Sequence, residues 1–273
     1  MRRKEAFSIR VAEVVLRHPP VSKRDIRYED ERFVVEITSP VDPLAWKLFL
    51  TVLSLGRKVK EGDDVAVYEV PEERLEGALG TENMSALEKA TKELMQCLYR
   101  VEDKQTKKRY FVKFLTFACL SPVEGMLSFH VARSFEELCQ EGLWYYFVFA
   151  NFLRSQTALN LHAFLSANAT LVNAKEKTLI VRGRINTARP IDARIMLRKA
   201  LEELVRVGFL RDYTEAVKDG ERVFVLQRPQ PVFLRAKAQE LLTKLYGKIE
   251  EFKEKRKASF RESKRRKRKR KEE

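Results

Sequence analysis

Cysteine is scarce. Three residues in 273, at positions 97, 119 and 139, include no C-x-x-C pair. That spacing argues against a disulfide scaffold and against zinc held by paired thiolates. It leaves three small apolar side chains, reduced, and a cytoplasmic location is expected. Histidine is equally sparse: His18, His130 and His162 are scattered, and no H-E-x-x-H occurs, so no metal site is expected. Ten glycines supply neither G-x-x-x-x-G-K-[ST] nor G-x-G-x-x-G, the loops whose backbone N–H groups cradle phosphates, and hence no nucleotide cofactor. There is no G-x-S-x-G elbow. Asp63 and Asp64 are adjacent, and neighbours along an extended chain point to opposite faces, so they do not converge on one metal. No catalytic residue, cofactor or metal is nominated, and the chain is expected not to be an enzyme. No apolar run reaches the ~18 residues of a membrane-spanning helix. The longest, LWYYFVFANFL (143–153), reads as a buried element, and its stripe Trp144, Tyr145, Phe147, Phe149 and Phe152 as a joint rather than a base-stacking platform. The opening MRRKEAFSIRVAEVV lacks the apolar core and cleavage site of a secretory leader.

Positive charge is in excess. The net charge is +15, and residues 251–273 carry thirteen Lys or Arg against five Glu. The closing ESKRRKRKRKEE has little to bury and is expected to be disordered. Such a run neutralises phosphates and releases counterions. The body is basic even without it, which points to a polyanionic partner, and the apolar content is ample for two modest cores.

The chain says one phrase twice. LEKATKEL (87–94) and LRKALEEL (197–204) share five of eight residues. Each precedes a charged turn and a strand rich in aromatic and β-branched residues. Apolar helices sharing A-x-x-L, AWKLFLTVLS (45–54) and ALNLHAFLSA (158–167), open 42 and 39 residues upstream. Order and spacing predict a duplicated α+β architecture of helix, spacer, helix, charged turn and strand, and the first copy reads in the strand, helix, helix, helix, hairpin order of a winged helix.

Residues 1–32 read as an irregular extension, with a helix at 5–17 ended by HPP. RFVVEIT (32–38) reads as a strand and Leu44 to Leu55 as a helix that Gly56 closes. GDDVAVYEV reads as a strand, and PEERLEGALG as a helix opened by Pro and closed by Gly. In NMSALEKATKELMQCLYRV, Leu87, Ala90, Leu94, Leu98 and Val101 make one helical stripe. A hairpin turns at SPVEG, and aromatic-rich helices link the halves. The second unit begins at Thr157. LIVRG is a strand or a helix. IDARIMLRKALEELVRVGF is a helix closed at Gly208, and V-K-D-G turns a hairpin. A long helix then leads into the tail. The boundaries are 1–32, 33–156 (first module with linker helices), 157–230 (second module) and 231–273.

A helix that enters a major groove needs an apolar face for its core and a polar or basic one for DNA. On 190–207, Leu197, Ala200, Leu201 and Leu204 point inward. Arg194 and Arg198 share the opposite face, with Lys199 beside them and Arg189 just before. Lys218 and Arg222 sit on the wing, placed to grip backbone. The first copy is a weaker reader: Lys89 and Lys92 share a face diluted by Glu88 and Glu93. Its wing is more basic, with Lys104, Lys107, Lys108 and Arg109. These twelve are the candidate DNA-contacting residues. The competing reading of each face is a solvated surface with ordinary ion pairs.

With these residues in place, the chain resembles the iteron-binding plasmid replication initiators over about residues 33–228. SQTALNLHAFL keeps Ser155, Ala158, Leu159, Leu161 and Leu165 of the family's soft motif, with Thr157 and His162 where Tyr is usual. The resemblance implies two tandem winged helices. The second reads direct repeats in double-stranded DNA; the first touches adjacent DNA and forms a homodimer in equilibrium with monomer. It also implies repression by dimers, origin opening by monomers through binding and bending, and recruitment of a host initiator and helicase. A winged-helix transcription or partition regulator and an RNA-binding basic protein are the alternatives left open by the sequence.

Overall fold

The computed structural model describes residues 7–123 and 125–272. The chain is α+β, with several small antiparallel sheets and no sheet joining the two halves among the described residues.

The N-terminal segment forms β1 (Ile9–Val11), α1 (Glu13–Arg17) and β2 (Ile26–Glu29). This corrects the irregular extension: the described part of the 5–17 stretch is a strand and one short helical turn, and residues 1–6 lie outside the described residues. Val11, Val15, Leu16 and Val21 are fully or almost fully buried, so packing decides what local propensity left open. β3 (Phe33–Thr38) turns Phe33, Val35 and Ile37 inward by strict alternation. α2 (Pro43–Leu55) has Pro at its first turn, Asp42 as its cap and Gly56 after it. It is buried almost all round, as a central helix must be. β4 (Arg57–Glu61) and β5 (Val65–Pro71) follow, then α3 (Glu72–Leu79), ended by Gly80 at φ +68°. α4 (Met84–Gln96) is capped by Asn83, whose side chain accepts from the Ala86 N–H.

The stripe expected to run on to Val101 stops short. α4 ends at Gln96, and β6 (Leu98–Asp103) takes over. Leu98 and Val101 are strand residues; alternation, not helical spacing, buries Tyr99 and Val101. Pairing with β3 along the whole of β6 outweighs the accidental 3–4 spacing. β7 (Arg109–Lys113), β8 (Leu115–Val123) and β9 (Met126–Ala132) complete two four-stranded sheets, β2-β3-β6-β7 and β4-β5-β9-β8. Phe114, between β7 and β8, is fully buried. Its ring lies 4.8–6.2 Å from those of Trp46, Phe49, Tyr99 and Phe135, the separations favoured by aromatic pairs.

α5 (Arg133–Gln140), β10 (Leu143–Tyr145) and α6 (Phe147–Phe152) follow, with β10 pairing back to β1. The aromatic stripe is a joint: Tyr145, Phe147 and Phe149 are fully buried. The second half comprises α7 (Gln156–Ala167), capped by Ser155, β11 (Asn173–Lys175), α8 (Glu176–Arg182), α9 (Pro190–Arg206), β12 (Asp212–Lys218) and β13 (Glu221–Gln227). LIVRG is thus helical in its first four residues. The sheet order is β11-β13-β12. The hairpin turns on Asp219 (φ 51°) and Gly220 (φ 74°), the two positive φ angles of a type I′ turn.

α10 (Pro231–Glu272) crosses back over α6 to α3. Leu241, Leu242, Leu245 and Ile249 are buried along it. The closing basic stretch, expected to be disordered, continues this helix to Glu272. Lys, Arg and Glu are good helix formers, and a helix already nucleated and docked is extended at little cost.

Candidate nucleic-acid interface

α9 buries Ala193, Leu197, Ala200, Leu201 and Leu204 and turns Ile191, Ile195, Met196, Lys199 and Glu202 outward. Arg194 and Arg198 flank that face, each closed on a carboxylate. Arg194 donates two hydrogen bonds to Glu176 at the start of α8, both 3.1 Å. Arg198 donates to both Glu215 oxygens on β12, at 2.6 and 2.9 Å. These pairs raise both guanidinium pKa values and fix the planes. Each pair uses two of five N–H donors, leaving three for a further acceptor. Arg189, the helix cap, pairs with Asp192 at 2.8 Å. Lys199 is exposed and meets no carboxylate among the described residues.

On the wing, Lys218 and Arg222 flank the turn. Lys218 meets no carboxylate among the described residues, whereas Arg222 lies 3.9 Å from Glu215. Val217 beside them is 66% exposed. Lys175 and Lys177 share the single carboxylate of Glu221, at 2.5 and 3.8 Å. Neither was singled out in the sequence, because pairing β11 with β13 is what carries them to the wing.

The first-half candidates divide. Lys89 is held by Asp42 and Glu93 at 2.8 and 3.5 Å. Lys104 folds back onto the Asp30 carbonyl and Glu29, and Arg109 pairs with Glu102. Lys92, Lys107 and Lys108 are exposed, with no carboxylate partner among the described residues. Lys107 occupies a left-handed position in the β6–β7 turn. The structure therefore does not gather the twelve candidates into one patch. α9 and its wing hold six, and the other six lie on α4 and the β6–β7 turn.

Between the halves lies a joint that the sequence did not announce. His18 is fully buried. Arg182 donates to its Nδ1 at 3.0 Å, and its Nε2 lies 2.9 Å from Asp30. An arginine only donates, so His18 is neutral, with its proton on Nε2, donated to Asp30. Burial lowers its pKa against the pull of Asp30. Burial raises the Asp30 carboxyl, but bonds from His18 and the Phe33 and Arg32 N–H groups outweigh it and hold it well below the usual range. Asn160 donates to the Val21 and Gly183 carbonyls. Arg184, at φ +59°, lies 3.8 Å over the Tyr28 ring. Burial pushes its pKa down to about 9, which still leaves it cationic at neutral pH.

The segment bearing Lys23 and Arg24 runs past this joint, facing the second half across a cleft. Both cations are exposed and unmatched by carboxylates among the described residues. A charged stretch between α1 and β2 carries no local sequence signal for this placement. Among the described residues, no helix is long and apolar enough to cross a membrane, and no cluster of His, Cys, Asp or Glu could hold a metal ion. No family model and no curated protein matches this chain.

Proposed function

We propose that the chain is a sequence-specific double-stranded DNA-binding protein of the plasmid-initiator type, built from two winged-helix modules. The observation that carries this reading is the architecture around α9. Three helices, α7, α8 and α9, pack together. The strand between the first two, β11, closes on the far strand of the hairpin that follows the third. α9 thereby presents its face beside a basic wing, the relation a helix needs to enter a major groove while a hairpin holds the backbone. Ile191, Ile195 and Met196 offer apolar contact to thymine methyls, and Arg194, Arg198 and Lys199 offer donors to base edges.

The first half supports duplication in its element order: α2, α3, α4 and then the β6–β7 hairpin. Its sheet is wired differently. β5, between α2 and α3, pairs with β9, and β3 takes the place beside β6. We read this module as the one that grips backbone through Lys92, Lys107 and Lys108 and meets a second copy. In this reading dimers repress, and monomers on direct repeats open the origin with a host initiator and helicase.

Footprinting on the DNA flanking the gene tests the proposal. The expected result is protection of direct repeats about twenty base pairs apart, two helical turns, on one face of the duplex. A single inverted repeat would point to a regulator. Tighter binding to structured RNA than to any duplex would overturn the reading.

A further inference from the structure

A cleft of about 670 Å³ separates residues 22–28 from the second half. Two independent features make it cationic. Lys23 and Arg24 on its rim are exposed and meet no carboxylate among the described residues. Arg184 on its lining also lacks a carboxylate partner among the described residues. Its Nε and Nη1 have no hydrogen-bond partner, and its Nη2 reaches only the Pro19 carbonyl at 3.4 Å. The start of α7 also lines the cleft through Ser155, Gln156 and Thr157, with the Glu203 carboxylate accepting from the Arg154 and Ser155 N–H groups there. Against these stand Glu203 and one lining acid, Asp25, whose Oδ1 accepts from the Ser39 N–H. The cleft also reaches Met196 on the outward face of α9.

A cationic trough touching the proposed reading helix is placed for the strand that borders the groove the helix enters. We infer that the cleft between residues 22–28 and the start of α7 seats the sugar–phosphate backbone of the duplex read by α9, so that the N-terminal segment is a DNA-binding element. This rests on the proposed duplex-DNA reading. Lys23 and Arg24 grip phosphates from one wall. Asn186, which also lines the cleft, faces them from the other.

The test uses the full chain and fluorescence anisotropy on a random-sequence duplex and on the footprinted site, across a salt series. Lys23→Glu/Arg24→Glu should weaken both duplexes by roughly tenfold or more and reduce the salt slope by about 2, the counterion release of two phosphate contacts. Asn186→Glu, which adds a negative charge to the opposite wall, should weaken both as well. Arg57→Glu/Lys60→Glu on the exposed β4, matched in charge, should cost much less. All three side-chain sets are exposed, and unchanged circular dichroism and melting temperature verify folding. Wild-type affinity and slope in both cleft variants, or an equal loss in the β4 control, would overturn the cleft while leaving the DNA reading intact. Failure of the wild-type chain to bind either duplex would overturn both.

Discussion

At the scale of single residues, two side chains make opposite demands on charge. His162 is fully buried among Tyr145, Phe149 and Phe209, with its Nδ1 2.7 Å from the Tyr145 hydroxyl. Burial, with Arg228 adding to it, lowers its pKa to about 3. The folded ring stays neutral while the unfolded one takes up a proton near its ordinary 6.5. The unfolded state therefore binds more protons between those limits, and stability falls as pH falls from about 6.5 towards 3. Chemical denaturation at pH 7, 6 and 5 should show this. His162 contributes a slope approaching about 1.4 kcal/mol per pH unit well below 6.5, and His162→Gln should remove that contribution. His18, lowered in the same direction, adds a contribution of the same sign. An unchanged slope in the variant would show that the ring is not held neutral. Arg198 is the reverse case, a cation kept charged by Glu215. Arg198→Ala should lower affinity for the preferred site roughly 5- to 150-fold. Part of that loss would come from the bared Glu215 carboxylate facing phosphate. Arg198→Ala/Glu215→Ala should recover affinity for scrambled DNA but not preference, because in the proposed reading the arginine, and not Glu215, reads a base. Return of the wild-type ratio of preferred to scrambled affinity in the double variant would make Arg198 a neutraliser alone.

At the scale of elements, α10 depends on a glycine in a different helix. A Cβ at Gly77 of α3 would sit 2.9 Å from Ile249 Cα, so only glycine lets the two backbones approach. Arg256 then reaches Glu76 at 2.8 Å and Glu72 at 3.0 Å. Gly77→Ala should destabilise by about 1–2 kcal/mol, because overpacking outweighs the ~1 kcal/mol gained in helix propensity. A raised melting temperature would refute this, and faster proteolysis within α10 would support it. None of this contact was legible in the sequence, since it joins residues far apart in the chain. What could be read was local. Gly80 and Gly208 closed their helices, and Asp219-Gly220 turned its hairpin. The inward faces of α4 and α9 followed from spacing through Leu94 and Leu204. β4 escaped because all five of its residues are exposed and four are charged, so alternation left no trace. Lys23 and Arg24 escaped for a similar reason: their setting exists only after α7 and α8 have packed behind them.

At the scale of the whole molecule, α10 does two things in sequence. Up to Arg256 it straps the second half to the first. Lys257, Ala258 and Ser259 are exposed, and the helix continues to Glu272. Deleting 260–273 spares the strap and removes most of the basic run. The truncated chain should lose affinity for preferred and scrambled duplexes alike, with a smaller salt slope, since phosphate contacts carry no sequence information. Titration of both duplexes at three salt concentrations checks this, and selective loss of the preferred site would contradict it. The helical course of that segment also bears on search kinetics. At 1.5 Å per residue, Lys257 to Glu272 spans about 24 Å, more than twice the ~10 Å screening length at 0.1 M salt. A stiff charged rod of that reach meets a polyanion outside the ion atmosphere of the body. If the chain binds duplex DNA as proposed, first capture would thereby be separated from final seating, with one duplex held while α9 samples successive registers along it.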